Sequence, residues 1–560
     1  MQTKLLETIE KYALKNAIEH NGKANPKALI GKVIAEMPEY KTKIPEIMPT
    51  INQKVSEINA LSIEEQRQIA EENYPEILKK EKKEKDLPEL PGAEKGKVVT
   101  RIPPEPSKYA HIGHALSFLI NYVYAKRYEG KAILRFEDTN PEKSTQEFVD
   151  AMMDDIQNYL GIKPDKIIFA SDDMPKFIEA ATDLINRGLA YVCFCNQQTM
   201  RENRQKGIEC ACRNKDVSQN LQEWNDMING KYHEGECTLR LKIDMKHKNY
   251  VMRDPVIFRI VEHEHYKQGN KYVVWPMYDF ENSLEDAWGG ITHILRSNEF
   301  GKMREELQNY IKELFGYPKP FVKQYGRFNV IGATTKGREI RELIEKGELT
   351  GWDDPRLVTL KALKRRGITK EALYEMVKKI GLSSQITNID WNFISSFNRK
   401  IVDKFAKRFM LIRNPVKITI ENAKELTVKI RLHPDKDYGF RVLKTNNEFY
   451  IEKEDFDSIK DREFVRLMEC LTFYKKDGKF YFDSIEYEDF KGKGKKIIHW
   501  LPADDEQLVE IKLMMPNAEM ITALCEKNIE MVKTDEIVQF ERFGFARKDN
   551  DNNEFWYSHK

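Results

Sequence analysis

The chain has 560 residues, enough for several domains with large cores, which excludes a small single-domain binding module. Its 92 Lys and Arg nearly balance its 90 Asp and Glu, so no global field draws the protein to nucleic acid or to a membrane surface. The chain is 41% hydrophobic, 32% charged, and lacks an apolar run of about 18 residues, which excludes a membrane-spanning protein. Seven Cys and a start without a signal-like apolar segment predict a reduced, cytoplasmic protein.

The first segment of the chain has apolar side chains at helical spacing. Leu5, Ile9 and Ala13 follow this spacing, which predicts a small helical domain. A run of charged residues at 79–86 is followed by two prolines that interrupt a helix. We therefore expect the helical domain and a linker to occupy residues 1–95, the alternative for the charged run being a solvated helix end.

From Lys97 the pattern changes to strands alternating with helices. Residues 98–102 and 132–136 are short β-type runs, with a helical stretch at 112–128 between them. This order predicts a parallel α/β unit whose ligand-binding groups lie at the C-terminal ends of the strands.

Further along, the composition shifts three times. A block rich in Cys, aromatic residues and short strands is expected to be an insertion, helical spacing follows it, and short strands with polar turns fill the end of the chain. The predicted segments after the linker are the first catalytic half (96–190), the insertion (191–290), the second catalytic half (291–336), a helical connecting domain (337–410) and a β-rich region (411–560).

The tetrapeptide from His111 to His114 lies after a proline-rich loop and begins a helix. Two imidazoles one turn apart, beside Gly113 and at the positive end of a helix, form a site for polyphosphate oxygens. The alternative is a pair of surface histidines at a helix start. Neither a G-x-G-x-x-G fingerprint nor a G-x-x-x-x-G-K-[ST] loop occurs, which disfavours the usual dinucleotide and P-loop sites.

A second polar loop lies about 220 residues later, at 332–338. It combines small hydroxyl residues, among them Thr335, with Lys336 and a glycine, a composition that can bring one cation to a phosphate. The alternative is a solvated lysine in a polar loop.

Together these two segments resemble the two signatures of class I aminoacyl-tRNA synthetases, in the glutamyl/glutaminyl subgroup of archaeal and eukaryotic type. The resemblance extends in order over about residues 97–560 and includes 100–106, 134–141, 276–280, 291–296 and 351–357. It implies a multidomain α/β protein with a Rossmann-like catalytic domain, an acceptor-stem-binding insertion, and C-terminal all-β barrels that bind the anticodon.

The resemblance also implies roles for single residues. Arg101, Glu137 and Tyr278 fall where the family binds the amino acid, with the carboxylate suited to its α-ammonium. The residues implied in ATP binding are His111, Gly113, His114, Thr335 and Lys336. His111, His114 and Lys336 are also the implied catalytic residues, because they stabilise the charge of the transition state and of the leaving pyrophosphate.

The chain departs from the family pattern at three positions. Lys336 matches the second lysine of the Lys-Met-Ser-Lys-Ser signature, but Ala333 stands where the first lysine is usual. Lys108 and Ala110 replace the usual Gly and Leu before the histidine motif. These departures concern loop closure and leave the implied reaction unchanged.

Arg296 separates the two branches of the subgroup, since this position is basic in glutamate enzymes and a small Cys in glutamine enzymes. A guanidinium forms a bidentate pair with a γ-carboxylate, whereas an amide leaves it buried and uncompensated. The alternative is an arginine that only braces the fold or the tRNA. Glu105 in the proline loop and Met277 favour the glutamine branch, but we give more weight to the residue that senses charge.

The implied reaction joins L-glutamate to ATP with its Mg²⁺, gives a glutamyl-adenylate and pyrophosphate, and transfers the glutamyl group to tRNA(Glu). The resemblance leaves open whether the chain also charges tRNA(Gln) with glutamate, as archaeal relatives commonly do. We expect a monomer. Two alternatives stay open, a glutamine–tRNA ligase and a tRNA-binding protein with a degenerate active site, and the intact histidine, lysine and carboxylate positions argue against the second.

Four cysteines form a C-x-C-x₁₄-C-x-C pattern near the start of the insertion. Cys193, Cys195, Cys210 and Cys212 are soft ligands that suit tetrahedral structural Zn²⁺, with free thiols as the alternative. The three other cysteines are expected in the core. Basic residues at 361–366 and 491–496 are candidates for phosphate contacts, with solvated faces as the alternative.

Overall fold

The computed structural model describes residues 2–20, 22–78 and 87–560. It divides into two compact units, Met1–Asp86 and Leu87–Lys560. Of the expected linker, residues 79–86 lie outside the described residues, whereas 87–95 belong to the second unit, where Leu87 and Leu90 are buried. Within the described ranges, none of the helices has the length and apolar character needed to cross a bilayer.

The first unit is helical over its described residues, as the spacing predicted. Its helices are α1 (Gln2–Glu19), α2 (Pro26–Glu36), α3 (Ile44–Asn59), α4 (Ile63–Asn73) and α5 (Pro75–Leu78). Ile9 and Ala13 are fully buried on the face of α1 that packs against the neighbouring helices. Ser62 begins α4 with a capping box, since its hydroxyl accepts from the Glu65 amide and the Glu65 carboxylate accepts from the Ser62 amide.

The second unit begins with strands and helices in the alternation expected from the sequence. The elements are β1 (Val99–Ile102), α6 (Ile112–Arg127), β2 (Lys131–Phe136), α7 (Gln146–Asp154), β3 (Lys166–Phe169) and α8 (Met174–Asn186). β1, β2 and β3 are parallel and adjacent in that order. Helix α6 packs its apolar face on β1 and β2, with Leu116, Leu119 and Tyr124 fully buried.

An antiparallel sheet interrupts the parallel one, in the segment predicted as an insertion. Its elements are β4 (Ala190–Cys193), α9 (Gln197–Lys206), α10 (Val217–Ile228), β5 (Thr238–Leu241), β6 (Val256–Ile260) and β7 (Val274–Pro276). The strands lie in the order β4-β5-β6-β7. Trp224 and Trp275 are fully buried in the core that this sheet shares with its helices.

The parallel sheet then resumes. The elements are α11 (Tyr278–Trp288), β8 (His293–Ser297), α12 (Gly301–Leu314), β9 (Phe321–Tyr325) and β10 (Phe328–Val330). β8 pairs with β9 in parallel, and the Thr292 amide donates to the Val99 carbonyl at 3.0 Å, which brings β8 beside β1. The parallel sheets β3-β2-β1 and β8-β9 thus lie side by side, with β8 next to β1, as in the Rossmann-like domain implied by the resemblance. Parallel strands carry their ligand-binding groups at one edge, which here gathers Arg101, Glu137 and Arg296.

The segment at 337–410, expected to be helical, contains four helices and two strands, the second of which, at 407–409, pairs with the strands that follow. Its elements are α13 (Gly337–Glu345), α14 (Leu360–Arg365), α15 (Lys370–Ile380), β11 (Thr387–Ile389) and α16 (Trp391–Val402). β11 pairs in parallel with β10 and so ties this segment to the catalytic domain. Its β-branched residues Thr387 and Ile389 favour extended backbone over helix.

The last part of the chain is rich in β-strands. Its elements are β12 (Lys407–Phe409), β13 (Leu411–Ile412), β14 (Pro415–Glu421), β15 (Thr427–Arg431), β16 (Phe440–Lys444), β17 (Glu448–Glu452), α17 (Lys453–Ser458), β18 (Phe464–Leu467), β19 (Thr472–Lys476), β20 (Lys479–Ser484), α18 (Tyr487–Phe490), β21 (Gly494–Ile498), β22 (Leu501–Pro502), β23 (Leu508–Met514), β24 (Met520–Glu526), β25 (Ile537–Phe540), β26 (Gly544–Asn550) and β27 (Glu554–His559).

These strands form two seven-stranded sheets and one two-stranded ribbon. The sheet orders are β21-β18-β19-β20-β14-β17-β22 and β12-β25-β26-β27-β23-β24-β13, and β15 pairs with β16. The strands alternate in burial, as β14 shows with Ile418 and Ile420 inside and Thr419 outside. The resemblance implied barrels, but the two described sheets are open, because the end strands of each sheet do not pair with each other.

Candidate active site

A cleft of about 870 Å³ opens at the C-terminal edge of the parallel sheet. It is lined by every residue that the sequence predicted for ATP and amino-acid binding: Arg101, His111, Gly113, His114, Glu137, Tyr278, Arg296, Thr335 and Lys336. Residues from segments more than 200 positions apart in the chain therefore face one cavity, a size suited to a small-molecule substrate.

The two histidines at the start of α6 cap their own helix. His111 Nδ1 accepts a hydrogen bond from the Gly113 amide at 3.1 Å, and His114 Nδ1 accepts one from the His111 amide at 3.1 Å. A neutral imidazole that accepts at Nδ1 carries its proton on Nε2. Each ring therefore keeps an Nε2–H donor for a ligand.

Both rings are neutral at physiological pH. Burial lowers the pKa of His114 to about 3, with the charge of Lys108 adding to the effect. Burial, the neighbouring ring and Lys108 hold the pKa of His111 well below its ordinary value. At Gly113 a Cβ would lie 3.0 Å from His111 Cε1, so glycine is needed for the ring to reach this amide. The pair offers two fixed neutral donors to phosphate oxygens.

A segment from the connecting domain braces the histidine motif. The Ile112 amide donates to the Val358 carbonyl at 3.0 Å, and the Leu360 amide donates to the Ala110 carbonyl at 2.8 Å. The turn before this segment depends on the buried carboxylate of Asp354, which accepts from Thr350 and Arg356. Burial alone would raise its pKa, but these hydrogen bonds outweigh burial and lower it to about 2. The family-like segment 351–357 is thus a support for the motif.

The amino-acid end of the cleft rests on a buried ion-pair network. Asp286 Oδ1 accepts from Arg101 Nε at 3.1 Å and from Arg135 Nη1 at 2.9 Å. Arg135 Nη2 then donates to Glu137 Oε1 at 3.0 Å. The charges of the two arginines outweigh burial and lower the pKa of Asp286, which stays ionised. The network fixes Arg101 and Glu137 before any substrate arrives.

Helix α11 supplies this network from one face. Asn282 Nδ2 donates to Glu137 Oε1 at 2.9 Å, and the Thr139 hydroxyl donates to Glu281 Oε2 at 2.6 Å. Burial and the charge of Glu137 raise the pKa of Glu281 well above its ordinary value, which favours its protonated form. Glu137, which accepts from Arg135 and Asn282, is then the carboxylate placed to bind an ammonium group in this pocket.

Arg296 lies at the end of β8 and is almost completely buried. Its Nη1 donates to Gln308 Oε1 at 2.7 Å, whereas its Nε and Nη2 have no hydrogen-bond partner in the described part of the chain. Burial and the charge of Arg101 lower its pKa. Nε and Nη2 form one edge of the guanidinium, and that edge matches a carboxylate in a bidentate pair.

Tyr278 closes the same end of the cleft. Its ring stacks on Phe300 with centroids 5.6 Å apart, and the Arg296 guanidinium lies 5.4 Å from the Phe300 centroid. Burial and the charge of Glu137 raise the pKa of Tyr278, so its hydroxyl stays protonated and can donate.

Sequence reasoning missed several side chains that support the site. Asn282, Asp286 and Gln308 contact predicted residues but carry no motif of their own. A signal was present in α11, where polar residues recur on adjacent turns directly after Tyr278 and are buried. A helix that buries charge in this pattern must match it with charges from other elements.

The loop before α13 contrasts with this buried network. The Lys336 side chain is 82% exposed, with its Nζ 3.9 Å from a Glu339 oxygen. The Thr334 hydroxyl donates to Glu339 at 2.6 Å and accepts from the Lys336 amide at 3.3 Å. The loop thus presents an exposed ammonium at the mouth of the cleft, next to the N-terminus of α13, where anions are favoured.

The four paired cysteines form one cluster at the end of β4. Their sulfur atoms lie within 4.8 Å of one another, and Cys193 Sγ is 3.9 Å from Cys210 Sγ. Four ligands around Zn²⁺ at about 2.3 Å place sulfurs about 3.8 Å apart, so the arrangement fits a tetrahedral site. Arg240 Nη1 lies 3.6 Å from Cys193 Sγ and offers a positive charge to thiolates. As expected, Cys237, Cys470 and Cys525 are buried in hydrophobic cores.

Each of the two basic clusters contains residues that are engaged within the protein and residues that are exposed. Arg365 pairs with Asp549 at 2.7 Å, and the buried Arg366 donates to the Ser558 carbonyl at 2.7 Å, so both hold α14 to the C-terminal strands. These two arginines are therefore engaged within the protein, whereas Lys361 and Lys364 of the same cluster are exposed. In the loop before β21, Lys493 pairs with Asp483 at 2.6 Å, whereas Lys495 is exposed.

Family models match the chain in succession. The catalytic-domain model of the class I tRNA synthetases (E and Q) matches residues 97–404, and two anticodon-binding-domain models of the same family match 406–480 and 497–549. A solved glutamate tRNA ligase of Elizabethkingia meningosepticum is 18% identical, with a TM-score of 0.39 over 55% of this chain and 70% of its own.

Curated relatives are similar over almost the whole length. The glutamate–tRNA ligase of Pyrococcus furiosus is 43% identical over 98% of this chain and 99% of its own. The glutamate–tRNA ligase of Methanocaldococcus jannaschii is 40% identical over 99% of this chain and 100% of its own. With the family models, these similarities show that the chain belongs to the class I tRNA synthetases of the glutamate and glutamine (E and Q) family.

Proposed function

We propose that the protein is a glutamate–tRNA ligase that uses ATP to join L-glutamate to tRNA(Glu). The observation that carries the amino-acid assignment is Arg296, whose Nε and Nη2 are buried without a partner among the described residues. A buried cation of this kind requires an anion, because an uncompensated charge in a dry pocket is costly. The γ-carboxylate of glutamate supplies that anion and the γ-amide of glutamine does not.

The α-ammonium end of the amino acid is bound by a negatively charged side chain. The Glu137 carboxylate, fixed by Arg135 and Asn282, binds the α-ammonium. The Tyr278 hydroxyl donates within the same pocket, and Arg101 keeps its two terminal nitrogens free of hydrogen bonds within the described ranges. The α-carboxylate is then left to face the ATP phosphates.

The chemistry requires positioning more than covalent help from the protein. A carboxylate oxygen of glutamate attacks the α-phosphorus of ATP, and the bond to the β-phosphate breaks with its electrons leaving on pyrophosphate. The Nε2–H groups of His111 and His114 donate to phosphate oxygens, and Lys336 neutralises the leaving group as the loop closes. The Mg²⁺ that accompanies ATP adds further charge neutralisation when bound.

In this proposal, two of the remaining segments bind the tRNA. The insertion at 191–290 binds the acceptor stem, and the β-rich region at 411–560 reads the anticodon. The other proposed domains are the helical domain with its linker (1–95), the two catalytic halves (96–190 and 291–336) and the connecting domain (337–410). We further propose a cytoplasmic monomer.

We also propose that the cysteine cluster holds one structural Zn²⁺ through Cys193, Cys195, Cys210 and Cys212. The sulfur spacing and the adjacent Arg240 support this, because a four-thiolate site carries net negative charge that the guanidinium offsets. The metal would fix the insertion and take no part in catalysis.

One aminoacylation experiment tests the proposal. Purified protein is assayed with glutamate and glutamine, each against transcripts of tRNA(Glu) and tRNA(Gln), with ATP and Mg²⁺. We expect glutamyl-tRNA(Glu) as the main product, and product on tRNA(Gln) decides whether that tRNA is a second acceptor. Glutaminyl-tRNA as the main product, or no aminoacyl-tRNA in any of the four reactions, would contradict the proposal.

A further inference from the structure

Lys108 is a partly buried cation in the cleft, five residues before Gly113 of the histidine motif. Its Nζ donates to the Thr335 carbonyl at 3.3 Å, and it forms no ion pair with a carboxylate in the part of the chain that the structure describes. Burial lowers its pKa, although the charges of Glu105 and Glu299 oppose the effect. The ammonium therefore lacks a direct counterion in the free protein.

Its position links both phosphate-binding segments. A Cβ on Gly337 would lie 3.1 Å from Lys108 Cβ, so the stem of the lysine packs directly against the loop that carries Lys336. Its charge also contributes to the lowered pKa of both His111 and His114. Lys108 thus lies between the histidine motif and the Lys336 loop.

The two phosphate-binding segments need a second cation, because the other arginines that line the cleft, Arg259, Arg304 and Arg327, are paired with carboxylates. The two histidines are neutral, so they contribute hydrogen bonds but no net positive charge to a polyphosphate. The loop at 332–338 offers Lys336 and Arg338, of which Arg338 pairs with Glu342 at 2.9 Å and does not line the cleft. Position 333 is Ala. Apart from Lys108, Lys336 would then be the one cation that these two segments, as the structure describes them, offer to the several negative charges of a polyphosphate.

We propose that Lys108 is a second phosphate-binding cation, which contacts the β- and γ-phosphates of ATP and then the leaving pyrophosphate. This inference rests on the proposed function. In the reaction the Lys108 ammonium keeps its proton and transfers nothing. It stabilises the negative charge that moves onto the pyrophosphate when the bond between the α-phosphorus and the bridging oxygen breaks. Its bond to the Thr335 carbonyl is exchanged for the phosphate contact.

Equilibrium binding of ATP, inorganic pyrophosphate and AMP, measured with tRNA(Glu) present, tests this role. Lys108→Met removes the charge and keeps most of the stem, and Lys108→Arg keeps a charge. The control is Lys346→Met, which removes the charge of an exposed lysine directly after α13. We expect Lys108→Met to weaken ATP and pyrophosphate binding about 10- to 100-fold, as for loss of a charged hydrogen bond. AMP binding should change less than about twofold, because AMP lacks the two outer phosphates.

Lys108→Arg should recover most of the affinity for ATP and pyrophosphate, and Lys346→Met should match the wild type. Equal losses for ATP, pyrophosphate and AMP would show a structural role, and unchanged binding would remove Lys108 from the phosphate site. Either result overturns the inference. If the wild type binds ATP but charges no glutamate, the proposed function fails, while the contrast between ATP and AMP still decides the role of Lys108.

Discussion

The two ends of the cleft differ in how their charged side chains are held in the free protein. At the amino-acid end, Arg101, Arg135 and Asp286 are buried and bonded to one another in the free protein. At the phosphate end, Lys336 is 82% exposed, and the hydrogen bonds of its loop include the Thr334–Glu339 contact and the bond from Lys108 to the Thr335 carbonyl, with no buried ion pair among the described residues of that loop. Removing one partner of a buried pair costs about 3–5 kcal/mol, whereas an exposed pair contributes about 0–1 kcal/mol.

This difference follows from the substrates. The amino acid brings charges whose places are fixed, so a rigid network can be built during folding and selects by matching charge for charge. The polyphosphate brings several charges and must leave as pyrophosphate, so a cation that is exposed in the free protein, as Lys336 is, can reach it and release it. We therefore expect substitutions at the amino-acid end to change selectivity and those at the phosphate end to change rate.

The largest effect is expected for Arg296→Cys. Shape does not separate a γ-carboxylate from a γ-amide, so selection depends on charge and hydrogen-bond matching in the buried pocket. Sites of this kind reject a substrate without the matching group by roughly 10⁴-fold, and we expect a loss of similar size in kcat/KM for glutamate. Gain for glutamine should be small, because Gln308 and Asp279 still form the same hydrogen-bond chain.

The control for this variant is Arg187→Cys, which removes an exposed arginine paired with Asp183. It should keep wild-type kinetics. Affinity for ATP should hardly change in Arg296→Cys, since Arg296 belongs to the amino-acid end. Full glutamate activity in Arg296→Cys would contradict the assignment.

A smaller effect is expected at the phosphate end. His114→Ala and Lys336→Ala should each lower glutamate-dependent pyrophosphate exchange by about 10²- to 10³-fold, as for loss of one transition-state contact. Affinity for tRNA should stay within about twofold, because neither contact is made to tRNA. Exchange is measured with tRNA present, and His20→Ala, on an exposed histidine, is the control. An unchanged rate in either variant would remove that residue from the mechanism.

The neutral histidines predict a pH effect on stability. The pKa of His114 is about 3 in the folded protein, whereas an unfolded histidine takes up a proton near pH 6.5. The unfolded state then binds more protons below about pH 6.5, so the free energy of unfolding should fall as the pH drops from 7 towards 5. Urea unfolding should show a smaller fall in His114→Ala than in the wild type. Equal falls would contradict a buried neutral His114.

The smallest effect on catalysis is expected for the cysteine cluster, which lies in the insertion. Elemental analysis of protein purified without chelator should show about one zinc per chain. The Cys193→Ser, Cys210→Ser double variant should lose the metal and unfold at lower temperature, while the buried Cys470 and Cys525 are unaffected. Equal metal content in both proteins, or none in either, would contradict the site.

The sequence alone identified the site residues that lie within motifs of the family. Arg101, His111, Glu137 and Arg296 lie in segments whose order matches one family, so both the parallel sheet and the cleft were expected. Lys108 was noticed only as a departure from the family, since its contact with the Thr335 carbonyl joins positions 227 residues apart.

The supporting residues were not predictable in the same way. Asp286 and Gln308 act through contacts across α11 and α12, and no local spacing indicates which charge meets which. The open sheets of the β-rich region and strand β11 likewise depend on pairing between distant segments. Burial and partner choice are set by tertiary packing, which a single sequence does not display.

The central claim is that a pre-organised, charged pocket selects glutamate before any transfer occurs. The most direct measurement is equilibrium binding of two non-hydrolysable sulfamoyl analogues, one of glutamyl-adenylate and one of glutaminyl-adenylate, to the wild-type protein with tRNA(Glu) present. The account predicts that the glutamyl analogue binds tighter by roughly 10⁴-fold, and that Arg296→Cys removes most of this difference. Equal affinities in the wild type, or tighter binding of the glutaminyl analogue, would contradict it.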